Sequence, residues 1–273
     1  NSYHTLAGMR IILADGALLD TEDAASVAAF RASHAELLLG LTMLARRVQE
    51  NERLAQRIRH KYRMKNTTGY GLNALVDFTD PIDILIHLMI GSEGTLGFIS
   101  TVTYRTVPDH AHKATALILF NSLRDACEAV TALKATPVAA VELMDRAALA
   151  SVQDQKAVPE AVKTLGADAA ALLVEVRGEH RDELAHRLHL ARTALAGIPT
   201  ATPIEFTDDP EHCAALWKVR KGTFPSVGSR RETGTTVIIE DVAFPVPRLA
   251  DATLDLQRLL HAHGYSEAII FGH

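Results

Sequence analysis

Apolar positions along this chain change their spacing several times, and each change marks an element. Met9 to Ala14 is an apolar run that ends at Asp15-Gly16, with Leu18-Leu19-Asp20 directly after it. That pattern predicts a strand, a tight hairpin turn and a second strand. Thr21, Glu22 and Asp23 then supply an acidic helix start. From His34 to Tyr62, Leu37, Leu41, Leu44, Val48, Leu54, Ile58 and Tyr62 recur at the spacing of one helical face. Lys65 to Gly71 is a polar, glycine-containing loop. Asp80-Pro81 opens a helix, because Pro lacks an N–H that the first turn cannot use, and Ile82 to Met89 reads as buried helix. Gly91 to Gly97 is a second glycine loop. Phe98 to Thr106, β-branched and aromatic, reads as strand.

Beyond Pro108 the rhythm alters. Strands are expected at Lys113 to Phe120, Val138 to Leu143, Leu172 to Val176 and Ile204 to Phe206, and helices at Ser122 to Lys134 and Glu179 to Ala196. Two βαβ halves in succession predict a ferredoxin-like α+β layer. A helix over Glu211 to Val219, a glycine turn at Gly222, a strand over Thr235 to Asp241, a helix over Arg248 to His263 and a last strand at Ile269 to His273 complete the reading. The domain boundary is expected near Pro108 to Lys113, giving domains at about 1–110 and 111–273.

Composition narrows the function classes. At roughly 100–200 residues per domain, 273 residues make one or two domains, and 48% hydrophobic with 22% charged is ordinary globular usage. No apolar run reaches the roughly 18 residues of a membrane span. A net charge of −5 does not favour a nucleic-acid surface. Within it, Arg46 to Lys65 carries eight basic residues against Glu50 and Glu52; this is a solvated helix face or a docking surface. Two cysteines, Cys127 and Cys213, supply neither a disulfide framework nor a four-thiolate site, and fit a reducing cytoplasm.

Few residues carry candidate chemistry. Gly91-Ser92-Glu93-Gly94-Thr95-Leu96-Gly97 lets a backbone approach a ligand closely, although the spacing is neither a Walker A nor a GxGxxG fingerprint; a purely structural turn is the other reading. Trp217-Lys218-Val219-Arg220-Lys221-Gly222 places cations at an expected helix end, either to meet the helix dipole or to cradle a carboxylate, a task that suits the arginine fork. Glu240 and Asp241 are adjacent acids on an expected strand, so at most one faces a site. His273 follows an apolar run and Gly272, a position usual for a structural histidine.

Taken together, Lys65 to Tyr70 and Gly91 to Ile99 in that order and separation resemble the flavin-dependent D-2-hydroxy acid dehydrogenases, FAD-linked oxidases of the vanillyl-alcohol oxidase superfamily. Asn1 to Asp20 resembles that family's strand pair after its flavin phosphate loop. Leu216 to Lys221 and Ile239 to Pro245 resemble its cap domain, and Ile269 to His273 the strand leading into its metal motif. The nearest flavour is that of large bacterial FAD and iron–sulfur enzymes acting on D-lactate or D-2-hydroxyglutarate.

The resemblance implies part of an FAD-binding domain followed by a ferredoxin-like cap. It implies FAD contacts from Asn66, Gly69, Gly91, Glu93, Gly94, Gly97 and Ile99. Arg220 matches a cap arginine that holds the substrate carboxylate, with Lys221 and Thr223 as further candidates and Lys221 or Arg230 as a second cation for a dicarboxylate. His273 matches the first histidine of a divalent-metal site, usually zinc. The implied reaction is hydride transfer from a D-2-hydroxy acid to flavin, with electrons passing to an acceptor protein or a quinone, in the cytoplasm or peripherally at the inner membrane face.

The family's phosphate-binding loop and its later metal ligands do not match anything between Asn1 and His273, and no cysteine set for an iron–sulfur cluster is present. The chain therefore reads as a fragment of a larger protein, expected to hold neither FAD nor activity when produced alone; flavin absorbance in the purified chain would contradict this. Other FAD-linked oxidases of the superfamily, an alkyl-glycerone-phosphate-type enzyme among them, and a non-catalytic α+β binding module are the alternatives.

Overall fold

The computed structural model describes every residue except Asn1, Thr67, Thr68, Glu232 and Glu240, together with the side chain of Arg230. It resolves into two compact units, one of residues 1–108 with 241–243, the other of residues 109–240 with 244–273.

The first unit opens with a one-turn helix, α1 (Ser2–Thr5), and a hairpin, β1 (Leu6–Ile12) and β2 (Leu18–Asp20). Gly16 makes the hairpin turn at φ +86°, a conformation a side chain disfavours. Helices α2 (Ala24–Ser33), α3 (Ala35–Glu50), α4 (Glu52–Lys61), α5 (Ala74–Asp77) and α6 (Pro81–Met89) follow, then β3 (Phe98–Tyr104). The sheet order is β2-β1-β3, antiparallel throughout.

Caps explain several boundaries. Asp23 accepts from Ala25 N–H to start α2, and Asp80 accepts from Ile82 N–H with Pro81 in the first turn of α6. The expected single helix over His34 to Tyr62 is instead divided at Asn51. There the backbone leaves the helix and the Asn51 side chain accepts from Leu54 N–H, capping α4. One face of the sheet packs Met9, Ile11 and Leu19 against α2, α3 and α6. On the other face Leu18, Ile12 and Phe98 lie in one row by register, and Phe98 is 66% exposed.

The second unit contains β4 (His112–Phe120), α7 (Leu123–Leu133), β5 (Ala140–Asp145), α8 (Arg146–Val152), β6 (Ala170–Gly178), α9 (Arg181–Leu195), α10 (Pro210–Arg230), α11 (Leu249–Ala262) and β7 (Phe271–Gly272). Its sheet runs β4-β6-β5-β7, all antiparallel. A single bridge, Thr115 to Thr207, lies on the outer side of β4. Strand positions thus follow the ferredoxin-like arrangement, with Thr207 standing where the fourth strand belongs and β7 added at the far edge.

Alternation along the strands supplies two cores. Ala116, Ile118, Leu172 and Val174 face α7, α9 and α11, and Leu119, Met144, Ala171 and Leu173 face α8 and α10. A fully buried leucine of this kind contributes roughly 1.5–3 kcal/mol.

Three expectations change here. Ile204 to Phe206 forms no ladder, only the bridge one residue later. Thr235 to Ile239 is irregular and largely exposed, Ile238 and Ile239 facing solvent, and among the described residues no strand pairs with it; Glu240 is outside the described residues. The final strand is confined to the two residues opposite Met144 and Leu143.

Candidate functional site

In the second unit, helix α10 carries the candidate cations. Asp209 caps it, accepting from His212 N–H, with Pro210 in the first turn. The expected stop at Gly222 is absent. The helix passes through Gly222 and even Pro225, whose missing N–H leaves the Lys221 carbonyl without its helical partner. Arg220 is therefore a mid-helix residue rather than a terminal cation, which removes the dipole explanation for it.

Leu216, Val219 and Thr223 form the buried face of α10, at helical spacing. Thr223 turns inward, its hydroxyl donating to Val219 O at 3.4 Å. Lys221, one position beyond Arg220 and so about 100° around the helix, is exposed to solvent. Lys221 and Thr223, the further candidates from sequence, thus leave α10 in directions different from each other, one to solvent and one to the core.

Arg220 is held against the sheet. Its Nη2 forms an ion pair with Glu142 Oε2 at 2.8 Å, and only 13% of its side chain is exposed. Its Cζ stands 4.6 Å from the centroid of the Phe271 ring on β7, a cation–π arrangement. Its Nε is buried and has no hydrogen-bond partner. One turn earlier, Trp217 Nε1 donates to Glu175 Oε2. Glu175, 3% exposed on β6, also accepts from Arg177 Nε at 2.6 Å and Thr115 Oγ1 at 3.4 Å. Two sheet carboxylates, Glu142 and Glu175, are thus engaged from one helix, Glu142 by an ion pair and Glu175 by a hydrogen bond.

Glu142 and Glu175 were not foreseen as site residues. Each interrupts an apolar run, Val141 to Met144 in β5 and Ala170 to Val176 in β6, and that interruption is the signal a sequence offers. His273 follows β7; at the next step of the β5–β7 register it falls opposite Glu142, and its side chain is exposed. The fold therefore brings Arg220 and the His273 position to neighbouring places on one sheet edge.

In the first unit, the two glycine-bearing loops meet, with the Tyr70 hydroxyl 2.9 Å from Thr95 Oγ1. Thr95 Oγ1 donates to Ser92 O at 2.6 Å, closing the turn. Gly91 and Gly94 have φ of +77° with Glu93 between them at +52°, and an added Cβ at either glycine meets nothing within 4 Å. Gly97 differs: a Cβ there would stand 2.8 Å from Ile12 O, so packing alone requires glycine. Ile99 pairs with Ile11 and turns its side chain to the core. Strand β3 is an edge strand, so alternate backbone groups face away from β1. Gly69 is also left-handed at +74°; Asn66 precedes it in a loop whose Thr67 and Thr68 lie outside the described residues. Lys65 Nζ, at the start of that loop, lies 3.1 Å from Asp241 Oδ2.

A loop with left-handed backbone at Gly91, Glu93 and Gly94 and open space at both glycines, beside a strand edge, fits close approach by a dinucleotide such as FAD. A metal fits less well. Among the described residues no group of three or more His, Cys, Asp or Glu side chains is placed to hold an ion. Cys127 and Cys213 are both buried and free, and provide no cluster site. Among the described residues no single helix is long and apolar enough to cross a membrane.

Comparison with known proteins adds the following. Residues 109–273, more than half of the chain, match the family model described as FAD linked oxidases, C-terminal domain. The chain is 27% identical over 61% of its length to the mitochondrial D-lactate dehydrogenase [cytochrome] of Arabidopsis thaliana, and 24% identical over its whole length to the D-2-hydroxyglutarate dehydrogenase of Pantoea ananatis. It spans 28% of the length of each. A solved structure of alkyldihydroxyacetonephosphate synthase superposes on 95% of this chain and 41% of its own with a TM-score of 0.54, at 11% identity, a likeness of fold alone.

Proposed function

The chain belongs to the FAD-linked oxidase family through its C-terminal domain, and from that premise we propose that it contributes flavin-binding and acid-binding residues to an enzyme oxidising a D-2-hydroxy acid, D-lactate or D-2-hydroxyglutarate, to the 2-oxo acid. Arg220 binds the substrate carboxylate. The observation that carries this is its state: a guanidinium fixed by Glu142 and Phe271, largely withdrawn from solvent, with an N–H left unmatched. Guanidinium forks match carboxylates bidentately, and burial strengthens the contact.

Asn66, Gly69, Gly91, Glu93, Gly94, Gly97 and Ile99 would hold FAD, Gly91 and Gly94 by open backbone and Gly97 by keeping the loop seated on β1. FAD, when bound, supplies the hydride acceptor. Arg220 orients the acid and balances its charge, so that the hydroxyl-bearing carbon is presented in one pose. Electrons then leave to an acceptor protein or a quinone. The described residues supply no metal-assisted step.

In the complete enzyme, Arg220→Ala is expected to cut kcat/KM for the hydroxy acid by about 100-fold or more, roughly 2.7 kcal/mol of transition-state binding. An unchanged value removes Arg220 from the site. A panel of D-lactate and D-2-hydroxyglutarate with an artificial electron acceptor, read alongside peroxide formation, separates dehydrogenase from oxidase.

A further inference from the structure

We infer that Glu142 is the positioning residue of the carboxylate site: it fixes Arg220 by Nη2 so that the Nη1 end of the guanidinium, and not the whole cation, receives the ligand. This rests on the reading of Arg220 given above. Glu142 Oε2 takes Nη2 at 2.8 Å, and the Phe271 ring covers the guanidinium face at 4.6 Å. With Nη2 and one face occupied, Nε and Nη1 are left without a protein hydrogen-bond partner among the described residues, and of the two only Nε is buried. It is one of two such buried side-chain nitrogens among the described residues, the other being Arg146 Nη1. A buried N–H with no acceptor is costly, so the Arg220 side chain is held in place by Glu142 and Phe271 rather than by its own Nε, and Nη1 is the donor left to meet a carboxylate.

Glu142 does not serve as a stand-in that the substrate expels. Its side chain is only 16% exposed. Expelling it would strand a carboxylate away from water, a strongly unfavourable outcome for a mostly buried pair broken on one side. Arg220 has five N–H donors in a planar fork, so it can keep Glu142 and accept a ligand at once. Strand β5 holds Glu142 in a ladder with β6 on one side, and β7 begins at the next position. The carboxylate therefore sits on rigid backbone, as an orienting residue requires.

The test uses the protein with ¹⁵N-labelled arginine, the Arg220 Nε–H resonance being assigned by its loss in Arg220→Lys. In the unaltered protein this proton is expected to exchange slowly with solvent and to shift on addition of D-lactate, with equimolar chloride as control. In Glu142→Gln, isosteric but uncharged, exchange is expected to quicken at least tenfold and the D-lactate concentration for half-maximal shift to rise at least tenfold. Glu142→Asp, which keeps the charge, is expected to recover part of both. A melting temperature for each variant guards against unfolding, and a variant that does not fold is replaced by comparison of Glu142→Asp with the parent. Equal or tighter D-lactate binding in Glu142→Gln overturns the positioning role while leaving Arg220 in place. No shift in the parent protein overturns the reading of Arg220 itself, and this inference with it.

Discussion

Asp145 shows how a single side chain ties an element end to its neighbour. Its two oxygens accept from Ala148 N–H at 2.8 Å and Ile270 N–H at 2.9 Å, capping α8 and anchoring the chain just before β7. Burial pushes its carboxyl up to about 6 from an ordinary 3.8, against the pull of those two N–H groups. A carboxyl that is harder to ionise in the folded state binds protons more readily there than in the unfolded chain. Its contribution is therefore complete below about pH 4 and is lost as pH rises to about 6. At roughly 1.4 kcal/mol per pH unit the loss is on the order of 3 kcal/mol. Melts of the second unit across that window should show this decline, and Asp145→Asn should flatten it; an unaltered slope would mean another group is responsible. Gly97→Ala drives a Cβ into Ile12 O and should cost the first unit about 1–3 kcal/mol in denaturant titrations. Gly94→Ala meets only a left-handed strain of about 1 kcal/mol. Lys221 faces water, so Lys221→Ala should leave KM for either acid within about twofold, whereas a large rise would restore it as a second cation.

At the scale of elements, α10 is fixed to the sheet by two polar anchors on either side of an apolar seam. Trp217 meets Glu175, and Arg220 meets Glu142, while Leu216 and Val219 pack between. Trp217→Phe keeps the ring and removes one donor from a buried carboxylate, a loss of about 1–3 kcal/mol. The denaturant midpoint of the second unit should fall accordingly; an unchanged midpoint would show that Arg177 and Thr115 satisfy Glu175 alone. This element was only half legible in the sequence. The pattern predicts a helix over Glu211 to Val219 with a turn at Gly222, an end that tertiary packing overrides: Thr223 is buried beside Met144, which continues the contact past the glycine. The converse holds at Thr235 to Ile239, where β-branched residues suit a strand and no neighbour offers a ladder. Strand propensity is a preference for a pleated, half-buried surface and has no effect where that surface is missing.

At the scale of the molecule, the four buried clusters each draw their residues from one unit. A cooperative core of its own is what allows a domain to fold alone. Residues 109–273 expressed by themselves should therefore give a single cooperative thermal transition with slowly exchanging amides in β4, β5 and β6. A broad, non-cooperative melt would show that the unit depends on the remainder. The matched family region covers these same residues, while the chain as a whole spans 28% of the two dehydrogenases it resembles.

By itself the sequence determined the parts whose causes are local: the helix starts at Asp23 and Asp80, the hairpin at Asp15-Gly16, the apolar runs of β4 and β6, and the position of the glycine loop. It also placed Arg220 and the glycine loop in a recognisable order. Only the tertiary structure decided what surrounds Arg220. Glu142 and Phe271 come from strands far from it in the chain, and the side of α10 that faces them follows from packing of Leu216, Val219 and Thr223. Periodicity reports on neighbours a few residues away. A guanidinium's partners are set by which helix turn rests above which strand, and that is settled only when the two apolar surfaces close on each other.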